Sequence, residues 1–157
     1  MKKTIALTLI ALMAGAGLAL AESETAREVK ETILANNKQV KETGKGAPDS
    51  TSKEGTVEFW SSGGLMNWTA ASEPPAEWET FNITPKHIEV VPLVEGQAAV
   101  AMYYSEGSMT PKGYPPVSHY MTRVTEVYVK EDGKWKLRAA HWSPIAAGSG
   151  TSQTAIE

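Results

Sequence analysis

The sequence predicts an α+β domain, on three observations: one stretch of helical periodicity near the N-terminus, a switch to period-two patterning after Lys86, and an Asp132-Gly133 hairpin signal late in the chain. A helix followed by an antiparallel meander is an α+β order. Glu24 to Thr43 carries Ala26, Val29, Ile33 and Val40 at helical spacing, with Lys and Glu between them. Thr25 with Glu28 fits a capping box, and Gly44, Gly46 and Pro48 end the run. Lys45 to Lys53 reads as a polar loop. Thr56 to Trp68 fits either a short helix capped at Thr51 or a strand. Ser72 ahead of Pro74 and Pro75 predicts a second short helix reaching about Phe81. Strands follow at His87 to Val94, Ala98 to Met109, Val117 to Lys130 and Trp135 to Ser143. Pro92 makes the first of these an edge strand or bulges it.

The first residues read as a cleavable export signal. Lys2 and Lys3 precede an uncharged apolar stretch from Ile5 to Ala16, and Ala19-Leu20-Ala21 offers an A-x-A cleavage site. The apolar stretch is short against the roughly 20 residues that span a bilayer, so an anchor is the weaker reading. The expected organisation is a leader over 1–21, a domain over 22–147 and a polar tail over 148–157. The expected location is the periplasm or the exterior, with no membrane attachment after cleavage.

The leader holds two of the 15 Lys+Arg and none of the 18 Asp+Glu, so the mature chain carries 13 basic against 18 acidic residues, a net charge of −5. An acidic balance argues against nucleic acid, whose binding replaces counterions with basic side chains. The chain has no Cys, so packing alone must stabilise it, and its five Trp suggest large rings in a core or pocket.

Face assignments follow from period two. Val127 and Val129 mark the inner side of the long strand, which places His119, Met121, Arg123 and Thr125 there and Tyr120, Thr122, Glu126 and Tyr128 outside. Trp135, Leu137 and His141 share the inner face of the last strand. A two-residue turn would set Trp135 opposite Lys130, so a three-residue bulged loop, Glu131-Asp132-Gly133, is expected instead. That register sets Arg123 across from His141; a slip of two sets Thr125 there.

The run HYMTRVTEVYVKEDGKWKLRAAHWSP, from His119 to Pro144, resembles the C-terminal hairpin of SnoaL-like proteins in the nuclear transport factor 2-like (ketosteroid isomerase-like) superfamily. Arg123 with Thr125, Asp132-Gly133 with Trp135, and His141 carry the resemblance, which extends over about Glu24 to Ile145. It implies a cone-shaped fold, a curved antiparallel sheet wrapped around N-terminal helices with an internal cavity, often dimeric. It also implies isomerases, cyclases and dehydratases as well as non-catalytic assembly modules. Enzymes of the superfamily commonly use an Asp base, and Asp49 and Asp132, the only two here, both fall in predicted loops.

The candidate acid–base groups are therefore His141, His119 and Glu106, with Arg123, His141, Tyr104, Trp60 and Met121 as ligand contacts. Each has a bland alternative: a core-satisfied His141, an Arg123 tied to Glu106, a wall-forming Trp60. On the strand from Ala98, either Met102, Tyr104 and Glu106 or the opposite face with Tyr103 could point inward. Two His with one Glu match no standard zinc spacing, so no metal and no cofactor is expected. The expected function is binding of a small, partly apolar molecule in the cone, with turnover in reserve; the alternative is an assembly module. A homodimer is expected through the outer sheet face, on Tyr120, Val124, Tyr128 and Trp142.

The processing expectation has a direct check. Sequencing the N-terminus of the exported protein should read Glu22 first; an intact Met1 in the extracytoplasmic fraction would refute it.

Overall fold

The computed structural model describes residues 22–145; the expected leader (1–21), the last two residues of the expected domain (146–147) and the whole expected tail (148–157) lie outside the described residues. One helix, α1 (Glu24–Thr43), is followed by seven strands: β1 (Thr56–Phe59), β2 (Asn67–Thr69), β3 (Trp78–Phe81), β4 (Thr84–Val94), β5 (Ala98–Pro111), β6 (Val117–Glu131) and β7 (Lys134–Pro144). They form one strongly curled sheet in the order β2-β1-β7-β6-β5, with β3 and β4 both pairing β5 on its far side. All pairings are antiparallel except β1 with β7.

The helix bounds match the expectation, but its cap does not. Ser23 is the N-cap, its hydroxyl accepting from the Ala26 N–H at 3.1 Å. Thr25 lies two residues further in and is buried, accepting from the Gly96 N–H at 2.7 Å while its own N–H donates to Glu95 at 3.1 Å. The start of α1 is thereby fastened to the β4–β5 turn. Glu28 reaches across to β6 and β7, accepting from Lys130 Nζ at 2.7 Å and Trp135 Nε1 at 2.8 Å. Val29 and Ile33 pack on Ile88, Ala99, Ala101, Tyr128 and Trp135, which form the core on the concave side of the sheet.

The ambiguous segment from Thr56 is a strand pair, β1 and β2, joined by a loop containing Gly63 and Gly64. The second helix expected near Ser72 to Phe81 is absent, and α1 is the only α-helix among the described residues. The backbone there is satisfied by pairing: Trp78 N–H donates to Gly44 O, Gly46 N–H to Ala76 O, and β3 pairs β5. Trp78 and Phe81 stack edge to face at 5.2 Å. β4 behaves as Pro92 foretells, pairing only β5 and breaking register between Pro92 and Val94. A second irregularity, between Lys86 and Glu89, holds His87 at φ 53.

The last hairpin departs most from expectation. Asp132 (φ 50) and Gly133 (φ 77) form a two-residue turn of the primed kind, pairing Glu131 with Lys134 and Lys130 with Trp135. Lys130 and Trp135 are compatible because Glu28 binds both and the ammonium sits 5.4 Å from the indole centre. The bulge falls instead within β7: Tyr128 pairs with Leu137 but Val127 with Ala139, leaving Arg138 as the extra residue. It shifts the alternation of β7 by one.

Two glycines separate conformational strain from steric contact. A Cβ at Gly133 meets nothing within 4 Å, whereas one at Gly44 (φ 67) would lie 2.7 Å from the Trp78 carbonyl oxygen. Gly133→Ala should cost about 1–2 kcal/mol, the left-handed strain alone. Gly44→Ala should cost clearly more, because a backbone atom must also move. Urea unfolding of both variants checks the order; equal costs would contradict it.

Candidate functional site

Residues directly opposite on neighbouring strands share a face, so the register assigns both sides of the sheet. On the outer side one row crosses six strands: Val91, Val100, Val127, Ala139, Val57 and Trp68. The next contains Glu89, Met102, Thr125, His141 and Phe59, and the one after that Lys86, Tyr104, Arg123 and Ser143. Glu106 and Met121 follow. The concave side takes Ala99, Ala101, Tyr103 and Ser105 from β5 and Thr122, Val124, Glu126 and Tyr128 from β6.

The expected site is therefore turned outward. His141 is exposed, opposite Thr125 rather than Arg123, with its ring 5.6 Å from that of Phe59. Arg123, Tyr104 and Met121 lie exposed on the same outer side. His119 is exposed near the start of β6, and Glu106 forms its ion pair with Lys86. No acid–base pair of His119 with Glu106 forms, and Arg123 does not meet Glu106. The physical reason is the bulge at Arg138: Trp135 and Leu137 face the helix, as expected, but the added residue turns His141 away and brings Ala140 and Trp142 inward. Val127 and Val129 are apolar residues of the outer face, not markers of the core. The rings expected outside, Tyr120 and Tyr128 with Trp142, lie on the concave side together with Val124.

Of the expected ligand contacts, Trp60 alone touches the interior polar groups. Its indole donates to Glu58 at 2.6 Å, and Thr56 Oγ1 donates to the same carboxylate at 2.5 Å. Glu58 sits opposite Ala140, which in turn sits opposite Glu126. Glu126 is the group that face assignment by valines missed. It is 6% exposed, and the phenols of Tyr103 and Tyr128 both donate to its Oε2 at 2.9 Å. Burial pushes its carboxyl up to about 7, the charge of Glu58 adding to the rise and the two phenol donors opposing it. Burial, then the Glu126 charge, raises both phenols well above their ordinary value. A carboxyl that titrates near neutrality beside two donors can give or take a proton at physiological pH. Further along the same face Thr122 is 1% exposed, and its hydroxyl has no hydrogen-bond partner among the described residues.

Two clefts are prominent elsewhere, and neither is lined by Glu126. One of about 460 Å³ lies between α1, Pro48 to Ser50 and the β6–β7 turn. The other, about 350 Å³, includes Lys86, His87, Tyr104, Glu106 and Met121. No group of three or more His, Cys, Asp or Glu suited to a metal occurs among the described residues.

The raised Glu126 has a signed consequence for stability. Folding disfavours its charged form, so its contribution is intact below about pH 4.5 and is lost as pH rises through about 7. Glu28, Asp49, Glu77 and Glu131 are shifted down by their hydrogen-bond donors and act in the opposite sense. Glu126→Gln isolates the one group. The stability of wild type minus that of the variant, from urea unfolding, should fall by on the order of 3 kcal/mol between pH 4.5 and 8, at about 1.4 kcal/mol per pKa unit. A flat difference would contradict the buried, shifted carboxyl.

No family model matches this chain, and no curated protein matches it. Solved structures do. A candidate calcium/calmodulin-dependent kinase II association domain from Exiguobacterium sibiricum is 11% identical with a TM-score of 0.56, covering 78% of this chain and 94% of its own. Its counterpart from Xanthomonas campestris is 19% identical at 0.56, covering 78% and 89%. A nuclear transport factor 2-like protein from Pseudomonas putida is 16% identical at 0.55, covering 80% and 91%. The chain has the nuclear transport factor 2-like fold, a helix held in the concave side of a curled sheet.

Proposed function

We propose that this protein is an exported self-association domain, of the SnoaL-like kind, whose outer sheet face packs against a second copy. The observation that carries this reading is the outer face itself. Val91, Met102, Tyr104, Met121, Phe59 and Trp68 are 44–62% exposed, and the register joins them through Val57, Val100, Val127 and Ala139 into one apolar surface. Large contiguous apolar patches mark interaction sites. The likeness to structures named as association domains supports the same reading.

A second reading has its own observation. Glu126 with its two phenols, and the unpartnered Thr122 hydroxyl, favour a small, partly apolar molecule held on the concave side, with Glu126 as the acid–base group.

Native mass spectrometry of the protein purified from its host reads both. A two-chain mass that Met102→Glu reduces to one chain is the result expected of the first reading; a monomeric wild type at micromolar concentration defeats it. A retained small molecule that Glu126→Gln loses is the result expected of the second.

A further inference from the structure

The outer face carries few charges, and they are unequally satisfied. Lys86 and Glu106 neutralise each other at one margin. Arg123, by contrast, stands on the long strand β6 between Tyr104 and Ser143, exposed and without an ion pair among the described residues. Glu89 stands on β4 beside Met102, likewise exposed and without one. A bare guanidinium amid apolar side chains tolerates a covering surface only if that surface brings an anion, since burying an unpaired charge is costly.

The register supplies a geometry in which a second copy brings it. Arg123 lies opposite Tyr104, and Glu89 lies opposite Met102, so the midpoint between the two charges falls on β5 between Met102 and Tyr104. Those two side chains are 54% and 48% exposed. A two-fold axis lying between the two sheets and parallel to them, passing over that point and perpendicular to the line joining the two charges, would set Arg123 of one copy over Glu89 of the other, and the reverse. In a two-fold interface each such contact occurs twice. Met102 and Tyr104 of both copies would then cluster at the centre, with the two ion pairs flanking them.

We propose that Arg123 of each copy binds Glu89 of the second copy, and that this reciprocal pair sets the register in which the two outer faces meet. The inference rests on self-association through the outer face and adds the residues that make it specific. Apolar rows alone would permit several slips of one sheet over the other. Two fixed, opposite charges select one of them, and like charges brought together penalise the rest.

A charge swap tests it, with the purified full chain followed by sedimentation and native mass spectrometry. Arg123→Glu alone and Glu89→Arg alone should each weaken self-association at least tenfold, because each sets like charges against each other twice. An equimolar mixture of the two variants should recover a two-chain species holding one chain of each kind. Both positions are exposed, and unchanged circular dichroism and melting of each variant establish that it is folded; Arg123→Gln and Glu89→Gln, which should weaken association less, replace any variant that is not. Wild type that associates while both single variants match it would overturn the pairing and leave the association reading standing. A mixture that stays monomeric would do the same. A monomeric wild type would overturn both together.

Discussion

Glu28 sets the terms on which the helix and the sheet can coexist. One carboxylate oxygen accepts from an ammonium on β6 and an indole on β7, so the helix is tied to both strands of the last hairpin at once. Without it, Lys130 opposite Trp135 would bring a bare charge against a core ring. With it, the tight Asp132-Gly133 turn becomes the stable closure, and the indole packs inward on Val29 and Ile33. The carboxylate is held below its ordinary range by these same two donors, Lys130 first. The Thr25 contacts to the β4–β5 turn act at the helix start, so α1 is fixed against the meander from two directions.

Once the turn is tight, the bulge must fall elsewhere. Placed at Arg138, it lets β7 present Trp135 and Leu137 to the helix and, beyond the bulge, Ala140 and Trp142. Arg138 reaches the Gly55 carbonyl at 3.3 Å, and Ser50 and Ser52 bond Leu137 from the chain that leads into β1. The parallel β1–β7 pairing thus begins where the bulge occurs. The tight turn itself puts Lys130 and Tyr128 on the side of Trp135 and Leu137, and with them Glu126 beneath two phenols, leaving Val127 and Val129 outside. An acidic group inside and an outward His141 both follow from a hairpin that closes tightly and takes its extra residue within β7.

This division separates two kinds of chemistry. The concave side has a titratable acid whose proton is held by burial, with hydroxyls around it, and its groups are mostly satisfied within the chain. The outer side has weakly satisfied apolar and charged groups spread over six strands. The first suits a small molecule or a proton; the second suits a flat, self-complementary surface. The fold accommodates both because the sheet is one layer with two independent faces, linked only through strand register.

Much of this was legible in the order of residues. The helix bounds, the four long strands, the edge character of Pro92 and the cone itself follow from periodicity, from Pro and Gly chemistry and from the resemblance of the last hairpin. These are local properties, set by side-chain spacing and by the backbone each residue permits. The candidate site was not legible. Its faces hung on whether the extra residue of the hairpin sat in the turn or in β7, and both choices satisfy the local pattern equally well. The choice came from a contact between positions 28, 130 and 135, more than 100 residues apart, where a carboxylate on the helix makes Lys130 and Trp135 acceptable neighbours. The strand at Trp78 was hidden for the same reason: Pro74-Pro75 announces a helix start locally, but the open edge of β5 offered hydrogen bonds that only the assembled sheet could supply. Period two fixes which residues share a side; a long-range hydrogen bond decides which side is in.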